Sequence, residues 1–117
     1  MFPELARFVP PARLFDKHVY SPWTGGALHP YLRSAGIDTV IITGGETDVC
    51  VLATVFGAID WGFRVILVTD AICSSADETH DATMALYTNR FGEQVETVTT
   101  DTLLESWQGR LCTSKTA

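Results

Sequence analysis

The stretch Asp38-Thr39-Val40-Ile41-Ile42-Thr43-Gly44-Gly45-Glu46-Thr47-Asp48-Val49-Cys50-Val51-Leu52 decides the fold. Asp38 to Thr43 is a short β-branched run of the kind that forms a buried strand. Gly44-Gly45 ends it. Thr47 then stands where a helix N-cap is expected, and Leu52, Val55, Phe56 and Ile59 recur at i, i+3, i+4 and i+7 on one helical face. Gly62 supplies a left-handed stop. A second cycle follows, with Arg64 to Thr69 as strand and Ser75-Ala76-Asp77-Glu78 as a capping box opening a helix that closes near Gly92. A third strand is expected over Gln94 to Val98, and a short helix over Asp101 to Trp107.

Strands alternating with helix-length amphipathic segments define an α/β protein with an open, mostly parallel sheet and helices on both faces. The N-terminal third is less regular. Pro10-Pro11 leads into Ala12-Arg13-Leu14-Phe15, expected as a strand. Ser21 to Gly26 forms a loop, and Leu28 to Ala35 a helix closed by Gly36, with Pro30 confined to its first turn. Only three or four strands are visible. A parallel sheet is normally covered on both faces, so a chain this short is expected to leave apolar strand surface poorly protected, as an N-terminally truncated domain would. The expected organisation is a partial domain over 1–108 and a C-terminal tail over 109–117.

A length of 117 residues leaves room for one domain with one modest core. The 46% hydrophobic and 19% charged shares are those of a globular chain, and no window approaches the roughly 18 apolar residues that a membrane span needs. The net charge of −6, with its arginines scattered, argues against a nucleic-acid partner. Met1-Phe2-Pro3-Glu4-Leu5-Ala6-Arg7 lacks a basic and an apolar leader region, so a cytoplasmic address is expected. Cysteines 50, 73 and 112 are too few and too widely spaced for a disulfide framework or a Cys-x-x-Cys knuckle.

Cys50 is the most informative of them, expected about one turn into a helix that follows a buried strand and a Gly-Gly turn. The partial positive charge and free N–H groups of a helix N-terminus favour a thiolate and can hold an oxyanion when it attacks a carbonyl. The carboxyl ends of strands in an open α/β sheet are also where ligands bind. The competing reading is a small buried hydrophobe.

The run Gly44 to Thr54, followed by Ala58-Ile59-Asp60-Trp61-Gly62-Phe63-Arg64-Val65 and Thr69-Asp70-Ala71, closely resembles the isochorismatase-like cysteine hydrolases, a family that includes nicotinamidases and N-carbamoylsarcosine amidohydrolase. The resemblance extends from about Pro10 to Val98. It implies a nucleophilic cysteine, here Cys50, activated by an Asp and a nearby Lys, with attack on a carbonyl and release of an amine. Lys17, in Phe15-Asp16-Lys17-His18-Val19-Tyr20-Ser21-Pro22, matches the family lysine; it is also the sole lysine before residue 115, and its alternative is an ordinary surface residue. The resemblance further implies a cis peptide at Gly45-Glu46 and an oxyanion hole from the backbone N–H groups of Glu46 and Cys50. The Glu46 side chain need not take part. Asp48 is expected to complement the helix dipole, and Asp70 to make a turn or cap hydrogen bond.

The family's catalytic aspartate lies on an earlier strand that is not visible here. Asp16 does not easily replace it, because neighbours on a strand point to opposite faces. Nicotinamidases add a zinc site upstream of the lysine segment. His18, His29 and His80 show no ligand spacing and are expected on the surface or in loops, so neither a metal nor another cofactor is expected. Cys73 and Cys112 carry no motif, as a loop thiol and a tail thiol. Tyr20, Trp23 and Phe56 either line a pocket or belong to the core.

The leading functional expectation is a metal-free cysteine hydrolase that cleaves a C–N bond of a small amide or carbamoyl compound. The alternative is a catalytically silent truncated α/β module that associates with other chains. A dinucleotide-binding domain ranks lower, since no Gly-x-Gly-x-x-Gly follows a strand. The expected partners are a small-molecule substrate and further copies of the chain.

Overall fold

A computed structural model describes residues 2–116, with side chains through Gln108. Three parallel strands, β1 (Thr39–Gly45), β2 (Arg64–Cys73) and β3 (Val95–Val98), lie in the order β1-β2-β3. Parallel neighbours need a crossover. Here α3 (Cys50–Asp60) joins β1 to β2, and α4 (Asp77–Asn89) joins β2 to β3. The short helices α1 (Pro3–Ala6) and α2 (Leu28–Ser34) precede the sheet, and α5 (Thr100–Thr116) follows it.

The ladder register sorts the strand residues onto two faces. Val40, Val65 and Val95 are paired across the sheet, as are Ile42 and Leu67. These face the core, with Val51, Val55 and Ala58 of α3 and Tyr87 of α4 packed against them. Full burial of each such aliphatic side chain contributes about 1.5–3 kcal/mol, which makes this layer the main source of stability. Ile41, Ile66 and Glu96 form the next ladder row and point the other way, toward Leu103 and Trp107 of α5 across a cavity of about 490 Å³. Coverage on this second face is incomplete: Ile41 is 40% and Trp107 54% exposed. Apolar strand surface is thus left in water, as the length of the chain leads one to expect.

The α3 stop is a Schellman motif. Gly62 takes φ +84° and donates its N–H to Ile59 O, while Phe63 N–H reaches Ala58 O, and Phe63 and Ala58 are both buried. Pro30 sits in the first turn of α2, and Gly36 beyond its end has φ +72°.

Four local expectations are corrected. Thr47 is not the N-cap of α3; Val49 holds that place with no side-chain cap, because Thr47 is wholly buried and its polar groups bond elsewhere. The capping box at Ser75 does not form either. Ala76 is the N-cap of α4, and Ser74 Oγ accepts the Ala76 N–H instead, at 3.2 Å. Residues 12–15 do not join the sheet. A strand needs a neighbour for its N–H and C=O groups, and this segment is held by side chains: the Arg13 guanidinium lies 4.8 Å from the Tyr31 ring and Phe15 5.5 Å from it. Finally, α5 runs on to Thr116 instead of ending near Trp107. No proline interrupts 109–116. Side-chain expectations beyond Gln108, including that for Cys112, lie outside the described residues, as does Ala117.

Candidate active site

The site is built on the turn between β1 and α3. The Gly45–Glu46 peptide is cis, as the resemblance implies. Glu46 O then accepts N–H bonds from Val49 at 3.1 Å and Val51 at 3.0 Å, which draws the chain into the first turn of α3. Cys50 is the first residue of that helix, nearer its end than the expected full turn in. Helix starts leave their first N–H groups unpaired. Among the described residues, neither Glu46 N–H nor Cys50 N–H has a protein acceptor.

Lys17 arrives from a different part of the chain. Its Nζ donates to Val19 O at 3.0 Å and to Cys50 Sγ at 3.7 Å, across 33 positions of sequence. Cys50 is half-buried and carries a free thiol. An ammonium and a helix N-terminus therefore meet at one sulfur. A cavity of about 280 Å³ lined by Phe15, Lys17, Val19, Pro22 and Leu28 adjoins the lysine. The larger cavity against Ile41 and Trp107 lies away from this chemistry, and Cys50 lines neither.

The loop between β2 and α4 braces the turn from the other side. Ser74 Oγ donates to Asp48 Oδ1 at 2.7 Å, and Ser75 N–H donates to Glu46 Oε1 at 3.0 Å. The Thr79 and Ser74 hydroxyls hold the Asp48 carboxyl below its usual range. Asp48 is thus tied to the loop, directly ahead of the N-terminus of α3. Asp70 does make the expected cap bond: Oδ1 accepts both the N–H and the hydroxyl of Thr100, each at 2.8 Å, at the start of α5. Asp16 makes no hydrogen bond to Lys17 or Cys50 among the described residues.

Two other placements differ from expectation. His80 is not a surface histidine; it is half-buried on α4, with Nδ1 sharing a hydrogen bond of 2.8 Å with Thr47 Oγ1. Cys73 is not in a loop. It closes β2 opposite Gly45, and its carbonyl accepts the Thr47 N–H. Trp23 and Phe56 are packing residues, the second of the two places expected of them: Trp23 stacks on Phe63 and donates Nε1–H to Thr54 O at 3.0 Å, and Phe56 meets Phe91 edge-on. Tyr20 is largely exposed. His29 stacks on Trp61 at 3.7 Å, and His18 is exposed. Among the described residues, no three His, Cys, Asp or Glu side chains converge so as to hold a metal ion, and no helix is long and apolar enough to cross a membrane.

The sequence reading missed the part played by His80. A signal for it exists: His80, Thr83 and Tyr87 recur at i, i+3 and i+7, a polar stripe on the face that α4 turns to the core.

The isochorismatase domain pattern matches residues 1–99, and the chain belongs to that family. It is 33% identical over 94 residues, 75% of its length and 50% of the relative's, to the uncharacterized isochorismatase family protein YwoC of Bacillus subtilis. Its fold superposes on the crystal structure of the nicotinamidase PncA from Bacillus subtilis with a TM-score of 0.71 at 27% identity, covering 82% of this chain and 51% of that one. The N-carbamoylsarcosine amidase of Thermoplasma acidophilum is similar too, with a TM-score of 0.63 at 33% identity over 73% of this chain and 46% of that one. The chain spans about half the length of the relatives it matches.

Proposed function

We propose that the chain carries the nucleophilic centre of a cysteine hydrolase acting on a C–N bond of a small amide or carbamoyl compound. The observation that carries this reading is the contact of Lys17 Nζ with Cys50 Sγ at the start of α3. Amidases among the similar proteins agree with the substrate class. In this reading the Cys50 thiolate attacks the carbonyl carbon, forming a C–S bond while the carbonyl oxygen takes the negative charge. The Glu46 and Cys50 N–H groups receive that oxyanion, the role such donors fill best when they are fixed beforehand. Collapse breaks the C–N bond, the nitrogen leaves with a proton, and water releases the acid from the thioester.

Lys17, in contact with the sulfur, orients the charge that develops beside it. The proton relay needs a carboxylate, and none of the described residues fills that place, since Asp48 is bound to Ser74 and Asp16 makes no contact with the thiol. Turnover by this chain alone is therefore expected to be slow, and reactivity of the thiol is the direct test. Limiting iodoacetamide on folded protein, followed by mass mapping, is expected to label Cys50 ahead of Cys73 and Cys112. Any release of ammonia from nicotinamide or N-carbamoylsarcosine is expected to vanish in Cys50→Ser. Preferential labelling of Cys73, or most activity kept by Cys50→Ser, would end the reading.

We also read the chain as a cytoplasmic, self-associating protein. The support for association is the uncovered sheet face around Ile41 and Trp107, together with the free edge of β1. Sedimentation velocity is expected to find species larger than one chain; a single monomeric boundary at tens of micromolar would refute it.

A further inference from the structure

We propose that His80 and Tyr87 of α4 are positioning residues for the nucleophile turn: through Thr47 they hold residues 46–50 so that Cys50 meets Lys17 and the Glu46 and Cys50 N–H groups stay open. The proposal rests on the cysteine-hydrolase reading and adds to it the device that fixes the centre.

Thr47 is the joint. It is wholly buried, follows the Glu46 N–H directly, and stands three residues before the thiol. Each of its polar groups is engaged, one from β2 and two from α4. Its N–H donates to Cys73 O at 2.9 Å, its carbonyl accepts from Tyr87 Oη at 3.0 Å, and its hydroxyl shares the 2.8 Å bond with His80 Nδ1. β2 and α4 thus hold this one residue between them. Tyr87 is itself fully buried, so its hydroxyl and the Thr47 carbonyl are satisfied only by one another, and an unmade partner in such a place is costly.

Thr83, on the same α4 face, is buried too, but its hydroxyl returns to Thr79 O within the helix at 2.7 Å. The two side chains of that stripe that reach across to another element both reach Thr47. The outer braces, Ser74 to Asp48 and Ser75 to Glu46, are each single bonds with an exposed or half-buried partner, and hold the flanks rather than the joint. The charged or titratable side chains around the turn are Lys17 from the N-terminal segment, Glu46, Asp48 and Cys50 from the turn, Cys73 from β2, and His80 and Tyr87 from α4. Replacing His80 or Thr47 therefore alters the alignment of the sulfur with Lys17 without removing any group that touches it.

The test is the second-order rate of Cys50 alkylation by iodoacetamide on the whole chain at one pH, set against free cysteine, with thermal midpoints in parallel. His80→Ala and Thr47→Val are each expected to slow it roughly fivefold, about the effect of one lost hydrogen bond, and the double variant to slow it no further. Thr47→Ser and His80→Asn, which keep a hydrogen-bonding atom near the original place, are expected to recover at least half of the rate. Tyr87→Phe removes one hydroxyl and keeps the ring, so it supplies the reading should the alanine variant fail to fold; a slowing of about threefold is expected. Folded variants that alkylate at the wild-type rate while melting earlier would overturn the clamp and leave His80 and Tyr87 as core residues. Additive effects in the double variant would overturn it as well. Wild-type Cys50 no faster than free cysteine would remove the nucleophile reading and the clamp with it, whereas fast wild-type Cys50 with unchanged variants removes the clamp alone.

Discussion

Residues 38–98 and residues 2–27 are held in place by different means. In the first region, backbone ladders and a continuous apolar layer of Val55, Ala58, Val65, Leu67, Tyr87 and Val95 fix every element. In the second, no residue from Phe2 to Tyr20 is buried, and Phe2, Leu5, Leu14 and Tyr20 stand in water. Its attachments are a few side chains: Trp23 beneath α3, Arg13 and Phe15 on Tyr31, and Lys17 on Cys50. Cys50 thus belongs to the well-packed region and Lys17 to the sparsely anchored one. Few buried contacts mean a low local opening energy, so Lys17 can part from Cys50 without the fold being lost.

Trp23 gives the strongest way to break that contrast. Its indole stacks on Phe63 and lies so close to Gly57 that a Cβ there would overlap it. Trp23→Ala is expected to cost about 3 kcal/mol, the lower end for a large aromatic since it is only half-buried, and to slow Cys50 alkylation by releasing the segment that carries Lys17. Urea titration and alkylation rates would check both; a loss of stability with no change in rate would show that Lys17 stays in place without the anchor.

Lys17→Ala sharpens the contrast from the other side. The residue is exposed and buries no apolar surface of note. Its loss is expected to slow Cys50 alkylation roughly tenfold while the thermal midpoint moves by no more than about 2 °C. A large drop in melting temperature with the rate unchanged would make the lysine structural.

Asp70 offers the smallest effect and a control within the packed region. The Thr100 hydroxyl, and then its N–H, bind the ionised carboxyl and hold it below its usual value. A carboxyl lowered on folding stabilises above its unfolded value, near about 4, and that contribution disappears as pH falls through the folded value. Asp70→Ala is accordingly expected to melt slightly earlier at pH 7, with the gap closing below about pH 4, and to leave Cys50 alkylation unchanged. A gap that persists at pH 2 would refute the cap as its origin.

Local patterns that a neighbour reinforces were legible in the sequence. The β-branched runs became β1 and β2 because each is flanked by another strand, and the Gly62 stop formed because Phe63 and Ala58 bury the contact it brings together. Cys50 is singled out by its place after the Gly-Gly turn, whereas its pairing with Lys17 comes through resemblance, since no periodicity links residues 33 positions apart. The errors share one cause. Thr47 and Ser75 have the composition of helix caps, but the Thr47 hydroxyl is claimed by His80, and at Ser75 the helix starts one residue later, with Ser74 taking the Ala76 N–H and Glu46 the Ser75 N–H. Ala12 to Phe15 has the composition of a strand and lacks a neighbour to pair with. His80 itself gives no local sign beyond the α4 stripe, because its partner lies on another crossover.

The engagement of Thr47 from two sides bears on how far the centre could be transplanted. Residues 44 to 50 look like a self-contained cassette, but their shape is specified by Cys73, His80 and Tyr87, none of which is adjacent in sequence. A protein engineer who grafted the loop onto another parallel sheet would carry over the thiol and leave behind what aims it. The smallest portable unit is the whole span from β1 through α4.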